Sequence, residues 1–193
     1  MKIVSDEVKR LSRLVRSMLD LSRIDAGELE LNRSRVNLTE LVGNVLVSSE
    51  QRIEKKHLRI TGMEDCEDYA ILGDYDLMGQ VLYNLLDNAI KFTNEGGEIQ
   101  IHLSRAAGRI YCAIRNTGDG IPPEEMPQIF ERFYKSDRSR SLDKNGMGLG
   151  LYIVKTVINL HQGEITVRSV AGEYTEFSFW VPAAGETEPD NIQ

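Results

Sequence analysis

The chain is poor in the residues that usually announce covalent or metal chemistry, with 2 cysteines and 3 histidines among 193 residues. Cys66 and Cys112 stand far apart with no C-x-x-C pair. That excludes a disulfide framework and a cysteine zinc site, and leaves two packing thiols in a reducing compartment. There is no basic excess either: 23 Lys and Arg face 30 Asp and Glu, a formal net charge of −7. No nucleic-acid partner is expected, because phosphate neutralisation would have no source, although local donors can still hold one nucleotide. Long hydrophobic runs are absent too. Met1-Lys2-Ile3-Val4-Ser5-Asp6 lacks the apolar core of a signal peptide, and no stretch approaches the roughly 18 apolar residues of a membrane span. What is present, 41% hydrophobic and 27% charged residues, is the balance of a soluble globular protein about one domain long with an appended element.

That element comes first. In the basic stretch from Val4 to Ile24, Val4, Val8, Leu11, Val15 and Met18 follow a 4-3-4-3 spacing, widened by Leu14 and Leu21 and closed by Ala26-Gly27. The spacing predicts a seam-bearing helix with an intermolecular or interdomain role. Residues 1–27 are therefore set apart from a main domain over 28–182 and from a polar, acidic, disordered tail over 183–193. Within the main domain, Glu28 to Val36 reads as an edge strand or extended link. Asn37, three residues before Glu40, caps a helix running to about Lys56. Short strands at Leu58–Ile60 and Ala70–Leu72 flank an acidic turn, and Asp74 or Asp76 caps a second helix to about Phe92. Hairpins are expected over Glu98–Arg115 and Glu164–Val181. Between them lies a long loop containing a short helix near Glu124–Phe130, followed by a third helix over Gly148–His161.

Three elements carry chemistry. On the second helix Asn84, Asn88 and Lys91 are spaced i, i+4, i+7, which at ~100° per residue places two amides and an ammonium on one face. Amide oxygens beside a Lys suit Mg²⁺ on a nucleotide, since that ion takes few protein oxygens and many from water and phosphate. Asn116-Thr117-Gly118-Asp119-Gly120-Ile121 follows a strand, and its glycines allow close backbone approach to a base or phosphate. Asn145-Gly146-Met147-Gly148-Leu149-Gly150-Leu151 opens a helix whose N–H groups and dipole favour an anion. Taken singly, these are also what a surface helix, a hairpin exit and a hinge look like.

Their order and spacing together resemble the ATP-binding catalytic domain of two-component sensor histidine kinases, within the superfamily that includes gyrase, Hsp90 and mismatch-repair ATPases. Asn84-Leu85-Leu86-Asp87-Asn88-Ala89-Ile90-Lys91-Phe92-Thr93 is similar to the N box and Asn116–Ile121 to the first glycine box. Phe130-Glu131-Arg132-Phe133-Tyr134-Lys135 is similar to the F box, and Gly146–Gly150 to the second glycine box. Val8 to Leu29 resembles the second helix of the dimerisation and phosphotransfer hairpin. The resemblance implies an α+β fold: a two-layer α/β sandwich, with about five strands in a mixed sheet, three helices on one side, and ATP between the helices and a mobile lid. It implies that Asn88 ligates Mg²⁺, that Asn84 supports the metal and phosphates, and that Lys91 meets phosphate oxygens. Asn116, Gly118, Gly120 and Ile121 would surround the base, with Thr175 on the adenine side. Tyr134 and Lys135 would sit in the lid, Lys135 towards the γ-phosphate, with Phe130 and Phe133 anchoring it by packing. Gly146, Gly148 and Gly150, with Leu149 among them, would free the lid and offer N–H groups to the triphosphate. Asn84, Lys91 and Lys135 are thus the candidate catalytic residues. The implied partners are the kinase's own phosphoacceptor hairpin, in a homodimer, and a response regulator; the implied location is the cytoplasmic part of a membrane-anchored parent.

One position separates the branches of that superfamily, and three departures from the family's pattern qualify what the resemblance implies. Hydrolysing relatives carry a Glu four residues before the metal-binding Asn; here that position is Asn84, which cannot accept a proton, so slow hydrolysis is expected. Asn116 replaces the usual Asp. Its oxygen can accept from adenine with a bond weaker by about 1 kcal/mol, or its NH₂ can turn to guanine O6. Tyr174 stands where Gly is commoner, with no functional consequence attached. No histidine has an acceptor context: His57 follows Lys55-Lys56, His102 lies in a strand and His161 ends the third helix, all read as structural or surface groups. The chain is therefore expected to be a kinase fragment that binds nucleotide without phosphorylating itself. An anti-sigma-factor-type Ser/Thr kinase and a non-catalytic nucleotide-sensing module acting through the Val4–Ile24 helix remain as alternatives.

Overall fold

The computed structural model describes residue 22 and residues 30–63, 67–135 and 147–185. Apart from residue 22, the expected seam helix lies outside the described residues, as do Cys66, Gly146 and the tail beyond residue 185. The chain divides into two compact units, Met1–Leu31 and Asn32–Gln193, and every element below belongs to the second.

Strand β1 (Arg33–Asn37) runs straight into its own helix cap. Asn37, extended at φ −85° and ψ 110°, accepts hydrogen bonds from the N–H groups of Thr39 and Glu40 and starts α1 (Leu38–Lys55). The same device recurs after β3 (Ala70–Asp74), where the Asp74 carboxylate accepts from Leu77 N–H at 3.1 Å and opens α2 (Tyr75–Phe92). Strands β1 and β3 pair antiparallel as a separate two-stranded sheet, with Val36 opposite Ile71. Alternation reveals which face of a strand is apolar but not which strand it pairs with, so the sequence does not announce this small sheet.

The main sheet has the order β2-β4-β5-β7-β6, built from β2 (Arg59–Thr61), β4 (Glu98–Ala106), β5 (Arg109–Thr117), β6 (Glu164–Val170) and β7 (Tyr174–Pro182). β2 is parallel to β4 and the other pairs are antiparallel, which makes the sheet mixed. Its buried face is written by alternation: Ile99, Ile101 and Leu103 on β4, Ile110, Cys112 and Ile114 on β5, and Phe177, Phe179 and Val181 on β7. The helices α1, α2 and α3 (Gly150–Leu160) lie against this face, the two-layer arrangement expected of the fold. α2 supplies Leu77, Met78, Val81, Leu82, Leu85, Leu86, Ala89 and Ile90, each buried at a gain of roughly 1.5–3 kcal/mol for the larger side chains. At one end of the buried rows the pattern turns polar: Asn116 on β5 lies directly opposite Thr175 on β7, and both are buried.

Two expected elements differ. Residues Glu124–Phe130 form successive turns (Glu125 N–H to Pro122 O, Gln128 N–H to Glu125 O, Glu131 N–H to Gln128 O) and not a helix. Pro127 removes an N–H that a helical ladder would need. The third helix begins at Gly150 and not at Gly148, for a reason visible at the site below. Among the described residues no helix is long and apolar enough to cross a membrane.

Candidate functional site

α2 is at once the centre of the core and the carrier of the polar face. Asn84, Asn88 and Lys91 are all half-buried on the side away from Leu82, Leu86 and Ala89. Asn84 Nδ2 donates to the carbonyl of Gly150 at 3.3 Å, which joins this face to the first residue of α3 across 66 positions of sequence. With its NH₂ so engaged, the amide oxygen is the atom left to face a cation. The start of α3 has Leu149 at its cap position and no capping side chain, so the first-turn N–H groups have no side-chain acceptor.

Gly148 explains why the helix starts late. It holds φ +69°, and a Cβ there would stand 2.5 Å from the carbonyl oxygen of Tyr134. Only glycine lets the second glycine-rich segment pass so close to the Phe130–Lys135 segment. Tyr134 and Lys135 are half-buried beside this crossing. Phe130 packs edge-on against Phe177, with ring centroids 6.1 Å apart. Phe133 does not share this anchoring role: it sits at φ +64° with 59% of its surface exposed. The left-handed backbone turns its ring outward, where the Arg132 guanidinium lies 5.5 Å from the ring centroid.

The first glycine-rich segment is clasped from two sides. A Cβ at Gly118 would fall 2.5 Å from the carbonyl oxygen of Phe92, so this glycine lets the segment rest on the last turn of α2. On the other side Gly118 N–H donates to Glu173 O, Gly172 N–H to Asp119 O, and Ile121 N–H to Ser169 Oγ at 2.8 Å, binding Gly120 and its neighbours to the β6–β7 turn. Asn116 Nδ2 donates to the Thr117 carbonyl at 3.1 Å. Thr175 Oγ1 lies 3.2 Å from Ser169 Oγ. Tyr174 faces the other side of the sheet, its ring covered by the Arg115 guanidinium at 3.5 Å. There, a cavity of about 300 Å³ lined by residues including Glu98, Arg115, Glu173 and Tyr174 opens away from Asn84, Asn88 and Lys91.

Three supporting side chains escape a reading of the sequence alone. Lys56 Nζ donates to the carbonyls of Ile90, Lys91 and Thr93 at 2.8, 3.0 and 2.9 Å, capping the end of α2. Arg52, one turn earlier on α1, pairs with Asp87 at 2.6 Å. His161 is buried, not a surface group: its Nε2 accepts from Asp74 N–H at 3.0 Å, and Nδ1–H donates to Val157 O at 2.8 Å. Burial holds its pKa below the ordinary value, with the Arg33 charge acting in the same direction. The one visible signal is the i, i+4 spacing of Arg52 and Lys56; a histidine at a helix end carries none. Cys112 is a packing thiol, its pKa pushed up to about 12 by burial.

The donor set fits Mg²⁺. Asn84 and Asn88 offer two hard amide oxygens, and among the described residues no group of three or more His, Cys, Asp or Glu could hold a metal. An ion here would take most of its ligands from phosphate and water, as Mg²⁺ does.

The family described as histidine kinase-, DNA gyrase B- and HSP90-like ATPases matches residues 73–185. The sensor protein SrrB of Staphylococcus aureus is 39% identical over 180 residues, which are 93% of this chain and 31% of SrrB. The chain thus spans about a third of the length of the curated relatives it matches. The catalytic domain of histidine kinase ThkA superposes with a TM-score of 0.69 at 31% identity, covering 80% of this chain and 96% of that domain. Histidine kinase ThkA in complex with response regulator TrrA aligns at 27% identity and a TM-score of 0.70, covering 96% of this chain and 51% of that one.

Proposed function

The chain belongs to the histidine kinase-, DNA gyrase B- and HSP90-like ATPase family, and from that premise we propose that it is the ATP-binding catalytic part of a two-component sensor histidine kinase. It binds Mg-ATP and donates the γ-phosphate to a histidine outside residues 30–185. The observation that carries this reading is the bond from Asn84 Nδ2 to Gly150 O, which brings an amide-and-lysine face and an uncapped helix start to one place. Phosphoryl transfer asks little covalent work of a protein; it asks for positioning and for charge stabilisation where oxygens gain charge.

In this reading Asn88 and Asn84 present their amide oxygens to the metal side of the triphosphate. Lys91 and Lys135 supply positive charge to its oxygens, and the N–H groups at the start of α3 receive the anion. When bound, Mg²⁺ neutralises the phosphates and polarises the phosphorus–oxygen bond that breaks. Asn116 offers its oxygen to the exocyclic amine of adenine, beside Thr175. No carboxylate occupies the Asn84 position, so no group there withdraws a proton from water, and ATP is held for an external nucleophile. By the same reading, residues 1–27 belong to the dimerisation hairpin of a membrane-anchored parent, and the phosphoryl group passes on to a response regulator.

The test mixes this chain with a separately expressed hairpin carrying the acceptor histidine and labelled ATP. Acid-labile, base-stable phosphate on the hairpin is expected, with feeble ATP turnover by the chain alone. Label on a serine of an added protein, label nowhere, or robust turnover that survives Asn84→Ala would reject the proposal.

A further inference from the structure

We propose that Lys56, assisted by Arg52, is a positioning residue that sets the orientation of Asn88 and Lys91 towards metal and phosphate. This inference rests on the nucleotide reading above and adds residues from a helix that takes no direct part in it.

The need for such a residue follows from how α2 ends. The last carbonyls of a helix have no partner inside it. The common remedy is a glycine in left-handed conformation, whose following N–H groups fold back. α2 has none: its C-cap is Thr93 at φ −73° and ψ 135°, an extended residue whose N–H and hydroxyl both donate to Ala89 O and leave the later carbonyls unserved by it. The remedy here comes from another element. An ammonium carries three N–H donors, and Lys56 places its Nζ within 3.0 Å of three carbonyls, those of Ile90, Lys91 and Thr93. The fourth carbonyl of the set, Phe92 O, faces Gly118, where even a methyl group would not fit. The backbone of Lys56 closes the arrangement by accepting from Gly96 N–H at 2.9 Å.

The functional face lies inside this collar. Lys91 is one of the residues whose carbonyl Lys56 holds, and Asn88 stands less than one turn earlier. Asp87, next to Asn88, is tied to Arg52 at 2.6 Å. Arg52 and Lys56 are i, i+4 on the α1 side and act on successive parts of the same stretch, from Asp87 to Thr93. If the last turn frays, the azimuth of Lys91 and then of Asn88 is lost, while the apolar side of α2 from Leu77 to Leu86 stays packed. A loss confined to the functional end separates positioning from general stability.

The experiment measures ADP affinity by calorimetry in Mg²⁺ and in EDTA, together with amide exchange at residues 90–97, for the wild type, Lys56→Met and Lys56→Arg. The ratio of the two affinities is the gain due to metal. Lys56→Met is expected to cut that gain at least fivefold and to accelerate exchange at residues 90–97, with Lys56→Arg recovering most of both. A Lys56→Met protein that melts earlier yet keeps the wild-type gain overturns the inference. Should Lys56→Met not fold, Arg52→Gln carries the test: about a twofold smaller gain is expected, and an unchanged gain overturns the proposal. Wild-type protein that binds no ADP in either buffer refutes the nucleotide reading itself, a result distinct from an unchanged gain.

Discussion

The backbone N–H of Asp74 donates to Nε2 of His161 at 3.0 Å, so the residue that caps the start of α2 is held by the residue that ends α3. Together with Asn84 and Gly150 this makes a second tie between the two helices, which therefore run antiparallel. Because Nε2 accepts, the imidazole must carry its proton on Nδ1, where it donates to Val157 O.

Protonating Nε2 would break the Asp74 bond, and burial already holds the His161 pKa below its ordinary 6.5. The stabilisation is thus complete above pH ~6.5. It drains as pH falls, because the unfolded chain takes up the proton first, until the folded pKa is passed. His161→Gln should be less stable than wild type by about 1–3 kcal/mol at pH 8, the cost of an unsatisfied buried donor. That gap should narrow by pH 5 in thermal melts. A gap of constant size would show that His161 contributes packing alone.

Asn84 and Asn88 are expected to fail differently. Asn88→Ala should lower ADP affinity about tenfold, or ~1.4 kcal/mol, in Mg²⁺ and hardly at all in EDTA. Asn84→Ala should show the same metal dependence and also lose about 0.5–1.5 kcal/mol of stability, since its tie to Gly150 O goes too. Equal losses of affinity in the two buffers for Asn88→Ala would remove it from the metal's surroundings.

In the proposed reading a base preference is expected from Asn116. One N–H of its amide donates to Thr117 O, which favours the orientation that turns the oxygen to a base. Adenine offers an amine to that oxygen, whereas guanine offers another acceptor. Calorimetry should find ADP bound at least about tenfold tighter than GDP, roughly 1.4 kcal/mol. GDP binding as well as ADP would mean that the amide turns over.

Two glycines make a matched pair for stability. Gly118→Ala drives a methyl into Phe92 O and should cost about 1–3 kcal/mol, the usual range for forcing extra volume into a packed site. Gly43, inside α1, has nothing within 4 Å of the place a methyl would take, so Gly43→Ala should gain about 0.5–1 kcal/mol. Denaturant midpoints moving in the same direction for both would contradict the packing described at Gly118.

Helices α1 and α2 are legible because Asn37 and Asp74 announce them with local chemistry and apolar residues repeat at helical spacing for five turns. The hairpins are legible from strict alternation. Local chemistry cannot show that Lys56 reaches carbonyls 34 to 37 positions away, since a lysine after a helix looks solvated. Phe133 misleads for a related reason: its hydrophobicity suggests burial, and the positive φ that turns it outward is a property of the folded loop. The glycines of the two glycine-rich segments stand out in the sequence, yet Gly118 and Gly148 are demanded first by Phe92 and Tyr134, protein neighbours that motif reading does not supply.

The double duty of α2 has a consequence for how this protein can change. Eight of its 18 residues are buried, and the polar ones between them include Asn84, Asp87, Asn88 and Lys91. Few positions on that helix are left to drift without damaging either the packing or the polar face. A compound that gripped α2 would therefore meet a surface from which resistance by substitution is hard to evolve, whereas one gripping the outer face of the sheet near Tyr174 would leave many escape routes.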